Sequence, residues 1–141
     1  MNRPIFIVIH HSLTKDSETV SWSAIRKYHM ETLGWKDIGY HYGIELVDGH
    51  YEILTGRMMD EDGAHCKERN MNHNSLGICL IGNFDEEAPP QEMWDLAVRF
   101  VRSLCSVLHI PNGNIRAHRD YANYKSCPGT AFNMDKFREE V

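Results

Sequence analysis

Residues 5–9 (IFIVI) form an unbroken run of β-branched and aromatic side chains that ends at His10, His11 and Ser12. That pattern predicts a strand buried on both faces, which belongs in the middle of a sheet. From Ser21 the apolar residues Trp22, Ile25 and Tyr28 recur at three-residue spacing, Leu33 comes next, and Gly34 follows as a left-handed stop. An amphipathic helix is predicted there. Segments 40–47 and 50–54 flank Asp48-Gly49, a two-residue turn pattern that predicts a β-hairpin. A second apolar run at 76–81 (LGICLI) predicts another buried strand, and Pro89-Pro90 opens a helix over 91–109. Trp94, Ala97, Val98, Val101, Leu104, Cys105 and Leu108 share one face of that helix. Residues 114–118 read as a last short strand, 119–130 as an irregular loop containing Cys127-Pro128-Gly129, and 133 onward as a helix capped by Asn133.

Strands alternating with helices, plus one hairpin, imply the α/β class: a mixed central β-sheet flanked by helices on both faces. Residues 1–141 read as one domain, without repeats, linkers or low-complexity tracts. Ligands of such sheets gather at the carboxyl ends of the strands. His10 ends the first predicted strand and His118 the last, so two imidazoles meet at one rim if those strands are parallel neighbours. Residues 56–75 carry charges, methionines, histidines and asparagines without sustained periodicity, which makes that loop a candidate wall of the site.

The chain has 141 residues, enough to bury a core without disulfides. Fifteen lysines and arginines against 20 acids leave a net charge of −5, which argues against a nucleic-acid partner. The apolar run at 5–9 is too short to cross a membrane and lacks the features of a signal peptide, so a cytoplasmic protein with no membrane partner is expected, and a single small domain makes a monomer the expectation. Four cysteines without a CxxC pair read as thiols. Nine histidines, several outside any helical register, point to a site.

Zinc takes imidazole nitrogen and thiolate sulfur, and a catalytic zinc keeps three protein ligands and one open position. His10, His118 and Cys127 supply such a set, although no HExxH helix or CxxC knuckle is present and a histidine at a strand end is more often structural. His10 and His11 point to opposite faces of a strand, so only one of them can face the site. A cysteine hydrolase with Cys127 as nucleophile and His118 as base is the competing chemistry.

The segments IVIHHSLT, DIGYHYGIELVDG, GAHCKERNMNHNSLGICLIGNF, IRAHRDY and YKSCPG, in this order, resemble the zinc-dependent N-acetylmuramoyl-L-alanine amidases. The relevant branch holds phage lysozymes and peptidoglycan recognition proteins. The resemblance runs from about residue 5 to residue 138. It implies one zinc ion per chain, with His10 in the first ligand position, His118 in the second and Cys127 in the third. It implies that Tyr40 and Lys125 are catalytic and that His65 contacts substrate. Relatives often carry a small or thiol residue where His11 stands. Zinc with two neutral imidazoles and one thiolate keeps a charge of about +1, enough to lower the pKa of a water toward about 7 and to polarise an amide. Lys125 would stabilise the oxyanion, and Tyr40 would orient water or relay a proton. The implied partner is peptidoglycan or a muropeptide, cut between N-acetylmuramic acid and L-alanine by a phage or prophage endolysin or by an enzyme of wall recycling. A binding or regulatory protein on the same fold, including one that holds an RNA polymerase, is the alternative. Recognition of the wall is expected from the cleft itself.

Ordinary structural roles account for the other candidates. Cys79 and Cys105 read as core packing and Cys66 as a surface thiol. His29, His50 and His109 read as solvated, and His41 as structural. His73 fits the cleft or a turn equally well. Met58, Met59 and Trp94 read as core or groove lining, and 85–87 as a solvated acidic run before a helix.

Overall fold

Five strands pair into one sheet in the order β3-β2-β4-β1-β5. They are β1 (Phe6–His11), β2 (Tyr42–Val47), β3 (His50–Thr55), β4 (Ser75–Leu80) and β5 (Ile115–Ala117). In the computed structural model, which describes residues 1–13 and 21–141, β1 lies between parallel partners β4 and β5. Strand β2 runs parallel to β4 and antiparallel to β3, so the sheet is mixed. Asp48 and Gly49 both have positive φ, 51° and 84°, the conformation that lets a two-residue turn follow the twist of the hairpin.

The helices are α1 (Trp22–Lys27), which continues as a π turn over Tyr28–Thr32, α2 (Met71–Asn74), α3 (Gln91–Leu108) and α4 (Met134–Glu140). Ser21 caps α1 by accepting from the Ala24 N–H at 3.1 Å, and Asn133 caps α4 by accepting from the Lys136 N–H at 3.0 Å. Among the described residues no helix is long and apolar enough to cross a membrane.

Strand alternation gives the sheet two unlike faces. Ile7 and Ile9 of β1, Ile44 of β2, Leu76, Ile78 and Leu80 of β4, and Ile115 of β5 pack in one apolar cluster with Trp94, Ala97, Val98 and Val101 of α3 and Phe137 of α4. The other face presents Val8 and His10, Gly43 and Glu45, and Ser75, Gly77 and Cys79. Helix α1 covers part of it: a Cβ on Gly43 would meet the Trp22 ring at 2.3 Å, so the indole lies flat on the strand. Glu45 fixes the start of the same helix by accepting from the Trp22 N–H at 3.1 Å.

The loop predicted over 56–75 contains a 3-10 turn (Glu68–Asn70) as well as α2. Buried Arg57 holds it by donating to the carbonyls of Ile38 at 2.9 Å and Asp62 at 2.8 Å. Met58 and Met59 are exposed on this loop rather than packed in the core. The last strand stops at Ala117, because His118 already begins a 3-10 turn (His118–Asp120) in which the Asp120 carboxylate accepts from the Ala117 N–H at 2.9 Å.

Candidate active site

His10 and His118 meet because their strands are parallel neighbours in register, Ile9 beside Ala117. Their rings lie 4.5 Å apart, centroid to centroid. Cys127 arrives from the loop after β5 and brings its Sγ to 3.7 Å from His10 Nδ1. One donor atom each from His10, His118 and Cys127 lies within 4.8 Å of the other two, a cluster able to hold a metal ion. All three are buried.

The cysteine loop is held from both sides. The Arg119 N–H donates to the Cys127 carbonyl at 2.9 Å, and its guanidinium donates to the carbonyls of Ser126, Gly129 and Phe132 at 3.1, 2.8 and 3.2 Å. Asp85 accepts from the Ser126 hydroxyl at 2.9 Å and the Thr130 N–H at 3.0 Å. The acidic run is therefore not simply solvated: its first member braces the loop that carries Cys127. The backbone N–H of His11 lies 3.4 Å from the Cys127 sulfur, and the His11 ring turns away to accept from the Phe84 N–H at 3.1 Å.

Burial sets the protonation of the cluster. His10 is held well below the usual imidazole range by desolvation and by the neighbouring His65 and His118. Desolvation and the Lys125 charge bring His118 down to about 4. Both rings are neutral at pH 7 and each has a lone pair to offer. Burial pushes the Cys127 thiol up to about 11, the reverse of what a free cysteine nucleophile needs.

A cleft of about 590 Å³ opens over this cluster, lined also by Trp35, Tyr40 and Lys125. Tyr40 sits beside His10 with ring centroids 5.1 Å apart, and burial raises its phenol pKa. Lys125 is exposed on the rim. His65 is buried against His10, with His65 Nδ1 and His10 Nε2 at 2.9 Å. A second hollow of about 300 Å³ shares this wall and adds Cys66, Glu68 and Asn72. A cavity of about 200 Å³ elsewhere, beside Leu46, Phe84 and Met93, carries no histidine or cysteine.

Several neighbours of the cluster were not legible as such. Cys66 is buried rather than a surface thiol, 3.6 Å from the Glu68 carboxylate. Glu68 accepts from the Tyr124 hydroxyl at 2.7 Å and lies 4.0 Å from His118 Nε2. His29 is not merely solvated: it lines the cleft, accepts from the Gly39 N–H at 3.0 Å and packs on Trp35. His41 is structural, accepting from the Gly77 N–H at 3.0 Å and donating to the Glu61 carbonyl at 2.8 Å. His73 is exposed and pairs with Asp62 at 2.7 Å. Thr14, which ends the first motif, lies outside the described residues.

Fold and site together define an α/β protein with a buried two-histidine, one-cysteine centre at the carboxyl ends of parallel strands. The sequence pattern of the N-acetylmuramoyl-L-alanine amidases matches residues 1–130. The endolysin of Enterobacteria phage T3 is 36% identical over 140 residues, covering 95% of this chain and 85% of that protein. The endolysin of Escherichia phage T7 is 35% identical with the same coverage. Among solved structures, the N-acetylmuramoyl-L-alanine amidase LysC from Clostridium intestinale superposes with a TM-score of 0.84 at 27% identity, covering 99% of this chain and 85% of that one. Peptidoglycan recognition protein LE, in complex with tracheal cytotoxin, superposes with a TM-score of 0.77 at 26% identity, covering 96% and 80%. The chain belongs to the N-acetylmuramoyl-L-alanine amidase family and is a peptidoglycan amidase.

Proposed function

We propose that the chain acts as a phage-type endolysin whose amidase chemistry uses one zinc ion held by His10, His118 and Cys127. The observation that carries the zinc assignment is the donor cluster. Zinc bonds of about 2.0–2.1 Å to nitrogen and about 2.3 Å to sulfur, at a tetrahedral angle, separate the two donors by about 3.6 Å. The His10 Nδ1 to Cys127 Sγ spacing of 3.7 Å matches that separation. Two neutral imidazoles and a buried sulfur suit a soft-to-borderline dication, and three protein ligands leave one position for chemistry. When bound, zinc supplies Lewis acidity toward the amide carbonyl and makes water nucleophilic at neutral pH.

The substrate bond joins the lactyl carbonyl of N-acetylmuramic acid to the nitrogen of L-alanine. Water adds its oxygen to that carbonyl, the C–N bond breaks, and the amine leaves with a proton. Lys125, exposed on the cleft rim, offers an ammonium to the developing oxyanion. Tyr40 keeps its proton under its raised pKa, and so its hydroxyl serves as a donor that orients water or the oxyanion. His65 lines the cleft, but its ring nitrogens are turned toward His10 and Ser75, which supports a role behind the ligands rather than substrate contact.

Digestion of purified peptidoglycan tests the proposal, with new amino termini and reducing ends followed separately. Free L-alanine amino groups without reducing ends, lost on chelation and restored by zinc, are the expected result. Hydrolysis that survives chelation and stops on thiol alkylation would instead assign the reaction to Cys127 as a nucleophile.

A further inference from the structure

We infer that Ser75 and His65 set the tautomer of His10 and thereby aim its Nδ1 lone pair at the metal position, an inference that rests on the zinc reading above. The relay starts at a backbone carbonyl. Ser75 Oγ lies 2.7 Å from the Met71 carbonyl, which can only accept, so the serine proton is committed there. The hydroxyl oxygen then has only lone pairs for His65 Nε2 at 3.4 Å, and that nitrogen carries the hydrogen. A second proton on His65 is excluded by its surroundings. The ring is buried between the bare backbones of Gly63 and Gly77, and its two nitrogens meet an imidazole and a hydroxyl rather than a carboxylate, so a cation there would be buried without a counter-charge. His65 Nδ1 therefore keeps its lone pair. It faces His10 Nε2 at 2.9 Å, which must be the donor. His10, neutral and protonated on Nε2, is left with a free lone pair on Nδ1, the atom that faces Cys127.

The backbone holds the relay in place. A Cβ on Gly77 would lie 2.5 Å from His65 Cγ and Cδ2, and one on Gly63 would lie 2.5 Å from Cδ2, so the ring fits between two strips of bare backbone. Asn72 fixes the start of the residue by accepting from the His65 N–H at 2.8 Å. Ser75 and Gly77 share the polar face of β4, and this places the hydroxyl and the gap for the ring on the same side of the sheet. His65 and Ser75 are thus positioning residues. With the opposite tautomer, His10 would present an N–H to the cation and could not bind it through Nδ1.

Two measurements test this. In metal-free, 15N-labelled protein, two-bond nitrogen–proton correlations report each histidine tautomer directly; the expected result is Nε2–H for both His10 and His65, and Nδ1–H on His10 overturns the inference. Zinc affinity, read by competition with a chromophoric chelator, is expected to fall 10- to 100-fold in His65→Leu. It should recover most of that loss in His65→Asn, whose amide oxygen can accept where Nδ1 does, and fall several-fold in Ser75→Ala. Equal affinity of wild type and His65→Leu removes the positioning role. If His65→Leu fails to fold, Ser75→Ala and the wild-type spectrum still decide. Wild-type protein that takes up no zinc defeats the zinc reading, while the tautomer measurement continues to judge the relay.

Discussion

The two faces of the sheet differ in what they ask of the same strands. Toward α3, β1 and β4 present Ile7, Ile9, Leu76, Ile78 and Leu80, all fully buried in the apolar cluster. Toward the cleft the same two strands present Val8, His10, Ser75, Gly77 and Cys79. Large branched side chains fill the first face and need nothing but dense packing. The second face uses small residues, so that flat rings can lie against backbone: Trp22 on Gly43, His65 on Gly77. Its polar atoms are joined in directed hydrogen bonds, since burial without a partner would be costly. The difference teaches that stability and chemistry were assigned to alternate residues of one strand pair, separated by the pleat alone.

Substitutions on opposite faces should therefore fail in opposite ways. Cys127→Ser is expected to lower amidase activity by about 10³-fold or more through loss of the proposed zinc site, while shifting the stability of metal-free protein by only about 1 kcal/mol. Ile78→Ala should cost about 2–5 kcal/mol of stability and leave zinc stoichiometry at one per folded chain. Thermal melts with and without chelator, alongside peptidoglycan digestion, measure both. An Ile78→Ala protein that is stable but zinc-free would break the division between the faces.

Acid should destabilise the cleft face selectively. Folded-state pKa values of His10 and His65 lie well below 6.5, and that of His118 lies at about 4. Between about pH 4 and 6.5 the unfolded chain binds protons that the folded chain does not, so stability falls as pH drops through that window. More than about one unit above 6.5 these groups are neutral in both states and contribute no pH dependence. The Tm of metal-free protein should drop by several degrees from pH 7 to pH 5, and less in His118→Gln; an unchanged Tm would show that the buried histidines are not held neutral. The smallest effect belongs to the solvated rim. Lys36 and Glu61 pair at 2.8 Å but are largely exposed, so Lys36→Ala should leave the midpoint of a denaturant titration nearly unchanged.

Much of the fold could be read along the chain because it rests on local periodicity. The runs at 5–9 and 76–81 fall on β1 and β4 within one or two residues at each end, and Asp48-Gly49 is the hairpin turn. The apolar stripe on 91–109 is the buried face of α3, to which Met93 adds. His10, His118 and Cys127 were legible as a set through the resemblance, and the parallel pairing of β1 with β5 accounts for the meeting of the two histidines. Residues in irregular segments were a different matter. Cys66, His29, Asp85, Met58 and Met59 all sit in loops or at a helix end, where no period tells which way a side chain points.

Sequence by itself determined the elements, their class and the kinds of donor atom available, because hydrophobic period and residue chemistry are local properties. Only the tertiary structure decided which nitrogen of His10 faces Cys127, that His65 turns to His10 and Ser75, and that Asp85 and Arg119 brace the cysteine loop. Those outcomes depend on contacts between segments far apart in the chain, as in the 2.9 Å bond from His10 to His65 and the 2.9 Å bond from Ser126 to Asp85. A hydrogen bond is directional and short-ranged, so its partners are settled only when the folded backbone has brought them within reach.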